Sequence, residues 1–137
     1  MVFIRPAKKS DLESLNLLLQ RLSKFTPSHH ILSQSLQDIQ ESGAVVFVAT
    51  EDERIIGTAS IYFIRKIRGG LVGMIEDVAV SESYERKGVG TKLICKLLDT
   101  CKLRNCYQVK LCTSVANAPF YESLGFTARE TEFYLNL

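Results

Sequence analysis

The sequence contains no tryptophan, three prolines, two methionines and two histidines. So little proline, with eight glycines scattered through the chain, excludes collagen-like and low-complexity classes. There are four cysteines, Cys95, Cys101, Cys106 and Cys112, but no C-x-x-C pair. Zinc-ribbon and dithiol redox motifs are therefore missing, and reduced thiols shared with the core are expected. The histidines are adjacent, His29 and His30. Sequence neighbours point apart and no third ligand is evident, so no metal is expected. Charge is nearly balanced, 17 basic against 15 acidic residues for a net charge of +2, which gives no argument for nucleic acid. No apolar run approaches the ~20 residues of a membrane span. The start, Met1-Val2-Phe3-Ile4-Arg5-Pro6, lacks the apolar segment and small-residue cleavage site of a secretory leader. A soluble, cytoplasmic protein without membrane or nucleic-acid partners is expected.

What is present is ordinary globular composition, 46% apolar and 23% charged. The 137 residues suit a single domain over 1–137 that buries a core without disulfides or metals. Val2 to Arg5 reads as a short strand ended by Pro6. Ser10-Asp11-Leu12-Glu13 has the capping-box pattern, with Ser10 as cap and Glu13 reaching back. Leu12, Leu15, Leu18, Leu19 and Leu22 then recur at helical spacing. A polar break from Lys24 to His30 precedes a second helix over Ile31 to Gln40, stopped near Gly43. Ala44–Thr50 and Arg54–Ile64 read as a hairpin across Glu51-Asp52-Glu53, with Gly57 marking a bulge. A basic turn, Arg65 to Gly70, leads into a long strand over Leu71 to Val80. A helix from Val89 to about Arg104, a strand over Tyr107 to Cys112, a short helix over Asn117 to Leu124 stopped by Gly125, and a last strand over Thr127 to Leu137 complete the pattern. The order β-α-α-β-β-β-α-β-α-β predicts an α/β fold, a mixed sheet with helices on both faces.

One stretch carries chemistry. Glu76-Asp77-Val78-Ala79-Val80 is a strand, and Arg86-Lys87-Gly88-Val89-Gly90-Thr91 is a glycine-bearing turn opening a helix. Backbone N–H groups at a helix start lack internal partners, and the helix dipole makes that end weakly positive. Gly88 and Gly90 remove Cβ atoms that would hold a ligand off, while Arg86 and Lys87 add charge. The combination describes an anion cradle, most simply for phosphate, although an ordinary strand–turn–helix has the same letters. Glu76 is a carboxylate in an apolar strand, costly there unless used or paired. In a regular strand Asp77 points to the opposite face.

A second segment, Asn117-Ala118-Pro119-Phe120-Tyr121-Glu122-Ser123-Leu124-Gly125-Phe126, lies about thirty residues on. Together the two resemble the GNAT superfamily of N-acetyltransferases, whose core carries a [Gln/Arg]-x-x-Gly-x-[Gly/Ala] turn and a later Asn…Phe-Tyr-x-x-x-Gly-Phe segment. Ile75 to Val80, Asn105-Cys106-Tyr107 and Asn117…Phe120-Tyr121 look like its glucosamine-6-phosphate N-acetyltransferase branch. The resemblance implies the acyl-CoA N-acyltransferase fold with a splayed sheet, acetyl-CoA as co-substrate, and direct attack of a small-molecule amine on the thioester. It implies that the backbone of Arg86, Lys87, Gly88, Val89, Gly90 and Thr91 holds the pyrophosphate. Val78, Ala79 and Val80 would pair with the pantetheine arm, and Asn117 would touch it. Tyr121 would act as general acid and Glu76 as base, with Asp77 as substrate contact or second base. His29 and His30, in the loop between the first helices, would line the acceptor pocket. Aminoalkylphosphonate, polyamine or protein amines are alternative acceptors, a non-catalytic acyl-CoA sensor is the alternative of another class, and a homodimer is implied by the family's habit. Two positions depart from the pattern: Glu85 stands where the turn has Gln or Arg, and Cys112 where the sugar-phosphate branch has Asp.

Overall fold

Alternating apolar residues in the middle of the chain build the sheet, and leucine stripes before and after it supply the helices that cover it. The computed structural model describes residues 1–137. Strands β1 (Phe3–Pro6), β2 (Val45–Glu51), β3 (Arg54–Arg65), β4 (Leu71–Val80) and β5 (Gln108–Lys110) form one sheet in sequence order. The first three pairings are antiparallel and β4–β5 is parallel. Helices α1 (Leu12–Leu19) and α2 (His29–Glu41) lie on one face. There Leu12, Leu15 and Leu36 pack on Ala7, Val46 and Val48. Helices α3 (Val89–Leu103) and α4 (Ala118–Ser123) cover the other. Val89, Leu93, Ile94, Leu97, Cys101 and Tyr121 pack there on Phe47, Ala49, Ala59, Ile61 and Ile75. The mixed sheet with helices on both faces is as expected, and so is the bulge beside Gly57, where Ile56 is the unpaired residue.

Several local expectations need correction. Helix α1 starts through a 3-10 turn at Lys9–Asp11, so Ser10 is not its cap. Asp11 is the N-cap residue of α1 but makes no side-chain cap bond to it; its carboxylate accepts from Lys8 N at 2.9 Å and from Arg5 at 2.7 and 2.9 Å. Those bonds close the 3-10 turn ahead of α1 and carry the helix start past Ser10. His29 and His30 lie in the first turn of α2, not in the loop, because Ser28 caps the helix through Ile31 N at 3.3 Å. The strand expected over Tyr107–Cys112 shrinks to Gln108–Lys110, and no strand forms over 127–137. The apolar residues of that tail, Phe133, Tyr134, Leu135 and Leu137, are exposed. Their pattern suits a pleated surface, but the tail is not paired with the free outer side of β5, the last strand of the sheet, and without pairing no strand forms.

Candidate active site

The site forms where β4 loses its neighbour. Strand β5 pairs with β4 only at Val72, Gly73 and Met74. From Ile75 to Val80 the β4 backbone has an open side, the splay that the family resemblance implied. On its other side β4 stays paired to β3 but changes phase. Glu76 lies opposite Ser60 and Ala79 opposite Thr58, so Asp77 and Val78 share the single partner Ala59. This is a β-bulge, with Asp77 in the left-handed region at φ 53°. Its effect is legible in the packing. Ile75, Val78 and Val80 all join the α3-side core, a spacing that a regular strand cannot give. The expectation that Asp77 simply points away from Glu76 is therefore corrected. Both are exposed at the bend, near enough that Asp77 acts on the Glu76 carboxyl.

Glu76 sits among groups that make its negative charge costly. Its carboxyl is raised above the usual range, first by burial, then by Asp77 and by Glu132. Tyr62, the diagonal neighbour of Glu76 across the β3–β4 ladder, has its phenol raised by burial and by Asp77 and Glu76. Cys112, just past β5, is raised by burial, then by Glu132, and also by Glu76. The result is an acid-lined surface patch, in which Tyr62 is half-buried and Glu76, Asp77, Cys112 and Glu132 are exposed. Tyr62 and Glu132 are not singled out by the sequence, whereas Cys112 is, at the position where the sugar-phosphate branch has Asp. Only strand register could have pointed to Tyr62, and nothing in the local sequence pointed to Glu132.

The turn after β4 is an array of free donors. Arg86 (φ 60°) and Gly88 (φ 82°) are left-handed on either side of Lys87, a geometry that turns successive N–H groups toward one point. Gly88 is the N-cap of α3 and makes no side-chain cap bond. The six consecutive N–H groups from Arg86 to Thr91 have no acceptor in the protein. Nothing lies within 4 Å of the position a Gly88 Cβ would take, so the space above the turn is clear. Gly90 has a different reason to be glycine. Its bare side faces the Phe120 ring, with Cζ 3.3 Å from where a Cβ would be, and Val80 Cγ2 is 3.9 Å away. That contact draws α4 onto the start of α3.

Tyr121 is placed by the way its own helix ends. Phe126 N donates to Tyr121 O (3.1 Å) and Gly125 N to Glu122 O (3.0 Å), with Gly125 at φ 97°, a Schellman cap. The Tyr121 ring is buried, edge-on to Phe120 and Phe126 at centroid distances of 4.9 and 5.9 Å. Burial pushes its phenol above the usual range. No buried polar side-chain atom lacks a partner. The Tyr121 hydroxyl has no protein partner, so it is the part of the residue that reaches the surface. Asn117 precedes α4 but its side chain makes no cap bond and stays free. His29 and His30 are exposed, and no hydrogen bond or ion pair ties either to β4. The structure therefore brings Glu76, Asp77 and the open edge Val78–Val80 to one end of the sheet, next to the Arg86–Thr91 turn, while α4 carries Tyr121 and Asn117 against that turn. It does not bring the two histidines there.

Comparison with known proteins agrees with this arrangement. The model of the acetyltransferase (GNAT) family matches residues 14–126. A glucosamine 6-phosphate N-acetyltransferase of Trypanosoma brucei brucei is 37% identical over 139 aligned positions, covering 98% of this chain and 95% of that protein. The crystal structure of a Trypanosoma brucei acetyltransferase superposes with a TM-score of 0.94 at 36% identity over the full length of both chains. Glucosamine-6-phosphate N-acetyltransferase from Arabidopsis thaliana superposes at 0.93, with 28% identity over 99% and 98% of the two chains. A matching family model over most of the chain, a closely similar full-length relative and the donor turn on a splayed sheet place this chain in the GNAT family, as an N-acetyltransferase.

Proposed function

We propose that the protein, acting as one domain over residues 1–137, transfers the acetyl group of acetyl-CoA to the primary amine of glucosamine 6-phosphate. The observation that carries the cofactor is the run of six unpartnered N–H groups from Arg86 to Thr91 under clear space. A pyrophosphate offers the acceptors such an array requires, and Arg86 and Lys87 add charge. The backbone of Val78, Ala79 and Val80, open on one side, suits an amide-bearing arm that lies alongside as an added strand does. Asn117, free of a capping role, is a further donor and acceptor for that arm. Acetyl-CoA bound there supplies a thioester whose carbonyl an amine can attack.

This chain's residues then handle the protons. An amine is protonated near neutral pH and must lose a proton to become a nucleophile. The Glu76 carboxylate, its pKa raised by burial and by Asp77, accepts that proton directly or through water. Its acidic surroundings also favour an ammonium-bearing acceptor over an anionic one at the reacting end. The Tyr121 hydroxyl donates to the departing thiolate; it is anchored by its ring and unpartnered at its oxygen, as a general acid needs to be. His29 and His30, exposed at the start of α2 and not tied to β4, are kept in this reading as contacts for the far end of the acceptor. The sugar phosphate is the favoured acceptor because the full-length relative acts on it. A homodimer belongs to this reading, supported by the exposed apolar residues Phe133, Tyr134, Leu135 and Leu137. Four free thiols suit a cytoplasmic setting.

The test is thiol release from acetyl-CoA across an amine panel: glucosamine 6-phosphate, glucosamine, an aminoalkylphosphonate, a polyamine and a lysine peptide. Glucosamine 6-phosphate should give the highest kcat/KM, and Tyr121→Phe should lower kcat by about 10²-fold or more with little change in acetyl-CoA affinity. Preference for another amine would move the substrate assignment. A thermal shift with acetyl-CoA but no thiol release on any amine would mark a sensor instead of an enzyme.

A further inference from the structure

Glu85, the residue that breaks the family's turn pattern, has a partner far away in sequence. The Arg21 guanidinium donates to its carboxylate across a separation of 64 residues, and Arg21 also lies 3.9 Å from Glu82. Arg21 sits just past α1, in a segment folded by Gln20. The Gln20 side chain accepts from Phe25 N at 3.1 Å and donates to Phe25 O. The turn from Ser81 to Lys87 holds two carboxylates, Glu82 and Glu85, and two cations, Arg86 and Lys87, for a net charge of 0. Adding Arg21 makes it +1. Two acids beside an array of anion-seeking N–H groups oppose its ligand unless they are offset, and Arg21 is bonded to Glu85 and lies near Glu82, whose side chain is 88% accessible. The pair is partly exposed, with side chains 37% and 49% accessible. Pairs of this kind contribute little to folding.

We propose that Arg21 is a positioning residue for the cofactor site. It offsets the charge of Glu85 and Glu82 toward the pyrophosphate and fastens the donor turn to the segment that follows α1. Where the family pattern has Gln or Arg, this chain has Glu85 and brings a cation to it from another element. This proposal rests on the Arg86–Thr91 turn holding the pyrophosphate of acetyl-CoA.

The experiment compares two acetyl donors in Arg21→Ala. Acetyl-CoA carries the pyrophosphate, and S-acetylpantetheine has the same thioester and amide arm without it. With acetyl-CoA, KM should rise about tenfold at low salt, and the gap should narrow as salt screens the uncovered carboxylates. With S-acetylpantetheine, KM and kcat should stay at the wild-type values. Arg21→Lys should recover most of the acetyl-CoA affinity, as should adding Glu82→Gln and Glu85→Gln to Arg21→Ala. The proposal is overturned by an unchanged KM for acetyl-CoA, by equal losses with both donors, or by failure of the two glutamines to restore affinity. If Arg21→Ala does not fold, Arg21→Lys and the two Gln substitutions alone still decide: Arg21→Lys should stay near wild-type KM, and the Gln pair should bind acetyl-CoA at least as tightly as wild type. If the wild-type protein itself shows neither turnover nor a thermal shift with acetyl-CoA, the cofactor assignment has failed beneath it.

Discussion

Gly73 and Cys101 set how closely α3 lies on β4, and replacing Gly73 by alanine tests that closeness. A Cβ at Gly73 would lie 2.5 Å from Cys101 Sγ and 3.2 Å from Ile61 Cδ1. A relaxed contact needs about 3.5–4.0 Å, so more than an ångström must be found. Cys101 is 2% exposed and Ile61 fully buried, so neither can swing out. Overpacking of this kind costs about 1–3 kcal/mol. Alanine recovers about 0.5–1 kcal/mol by its smaller loss of backbone freedom in a strand. The net expectation is a loss of about 1–2 kcal/mol, or a fall in Tm of roughly 4–8 °C for a domain of this size. Cys101→Ala alone removes a buried sulfur and costs about 1 kcal/mol. In the double variant the new methyl takes the room the sulfur left, so the two losses should fall short of their sum by at least about 1 kcal/mol. Urea denaturation followed by far-UV circular dichroism measures all four proteins. Losses that add to within about 0.5 kcal/mol would show that this contact does not limit the helix–strand approach.

Two further outcomes follow from titrating groups. Asp77→Asn keeps a residue that tolerates the left-handed bend but removes a negative neighbour of Glu76. The Glu76 carboxyl should therefore ionise more readily, moving the acidic limb of the kcat/KM–pH profile to lower pH, and an unmoved limb would place the base elsewhere. Asp11 is held below the usual carboxylate range, first by hydrogen bonds from Arg5 and despite its burial. A depressed native pKa adds stability above the unfolded value of about 3.9 and loses it as pH falls through the native value. Asp11→Asn should thus cost about 2 kcal/mol at neutral pH, with the gap to wild type closing below about pH 4 in denaturant titrations.

The parts that were legible in the sequence are those with long, single-period patterns. The apolar run of β4 and the leucines of α3 have the bounds expected, and the cradle from Arg86 to Thr91 is where the glycines indicated. What escaped depends on contacts that no local pattern encodes. The bulge at Asp77 hides in a stretch that reads as regular alternation, and its one trace is the spacing of Ile75, Val78 and Val80. Ser10 fits a capping box, yet the bonds of Asp11 to Lys8 N and Arg5 close a 3-10 turn that carries the helix start past it. Gly90 reads as a phosphate glycine, and the ring of Phe120, 3.3 Å from where a Cβ would be, gives its missing side chain a packing reason as well. The tail after Phe126 has a strand's alternation but pairs with no strand of the sheet. Tyr62 and Glu132 approach Glu76 only through the strand pairing and the path of the tail.

The open side of β4 has a consequence for the protein when no ligand lies along it. Unpaired N–H and C=O groups along Ile75–Val80 form a template that any extended chain could extend, including the same stretch of another molecule. Most sheet edges are protected by a covering element, and this one has to stay uncovered to be of use. The protection is instead local. The left-handed bend at Asp77 interrupts the straight run that a foreign strand would need, and Glu76 and Asp77 set two negative charges against a like edge. The residues proposed for the chemistry thus also act as gatekeepers against aggregation, so neutralising both together would erode solubility as well as turnover.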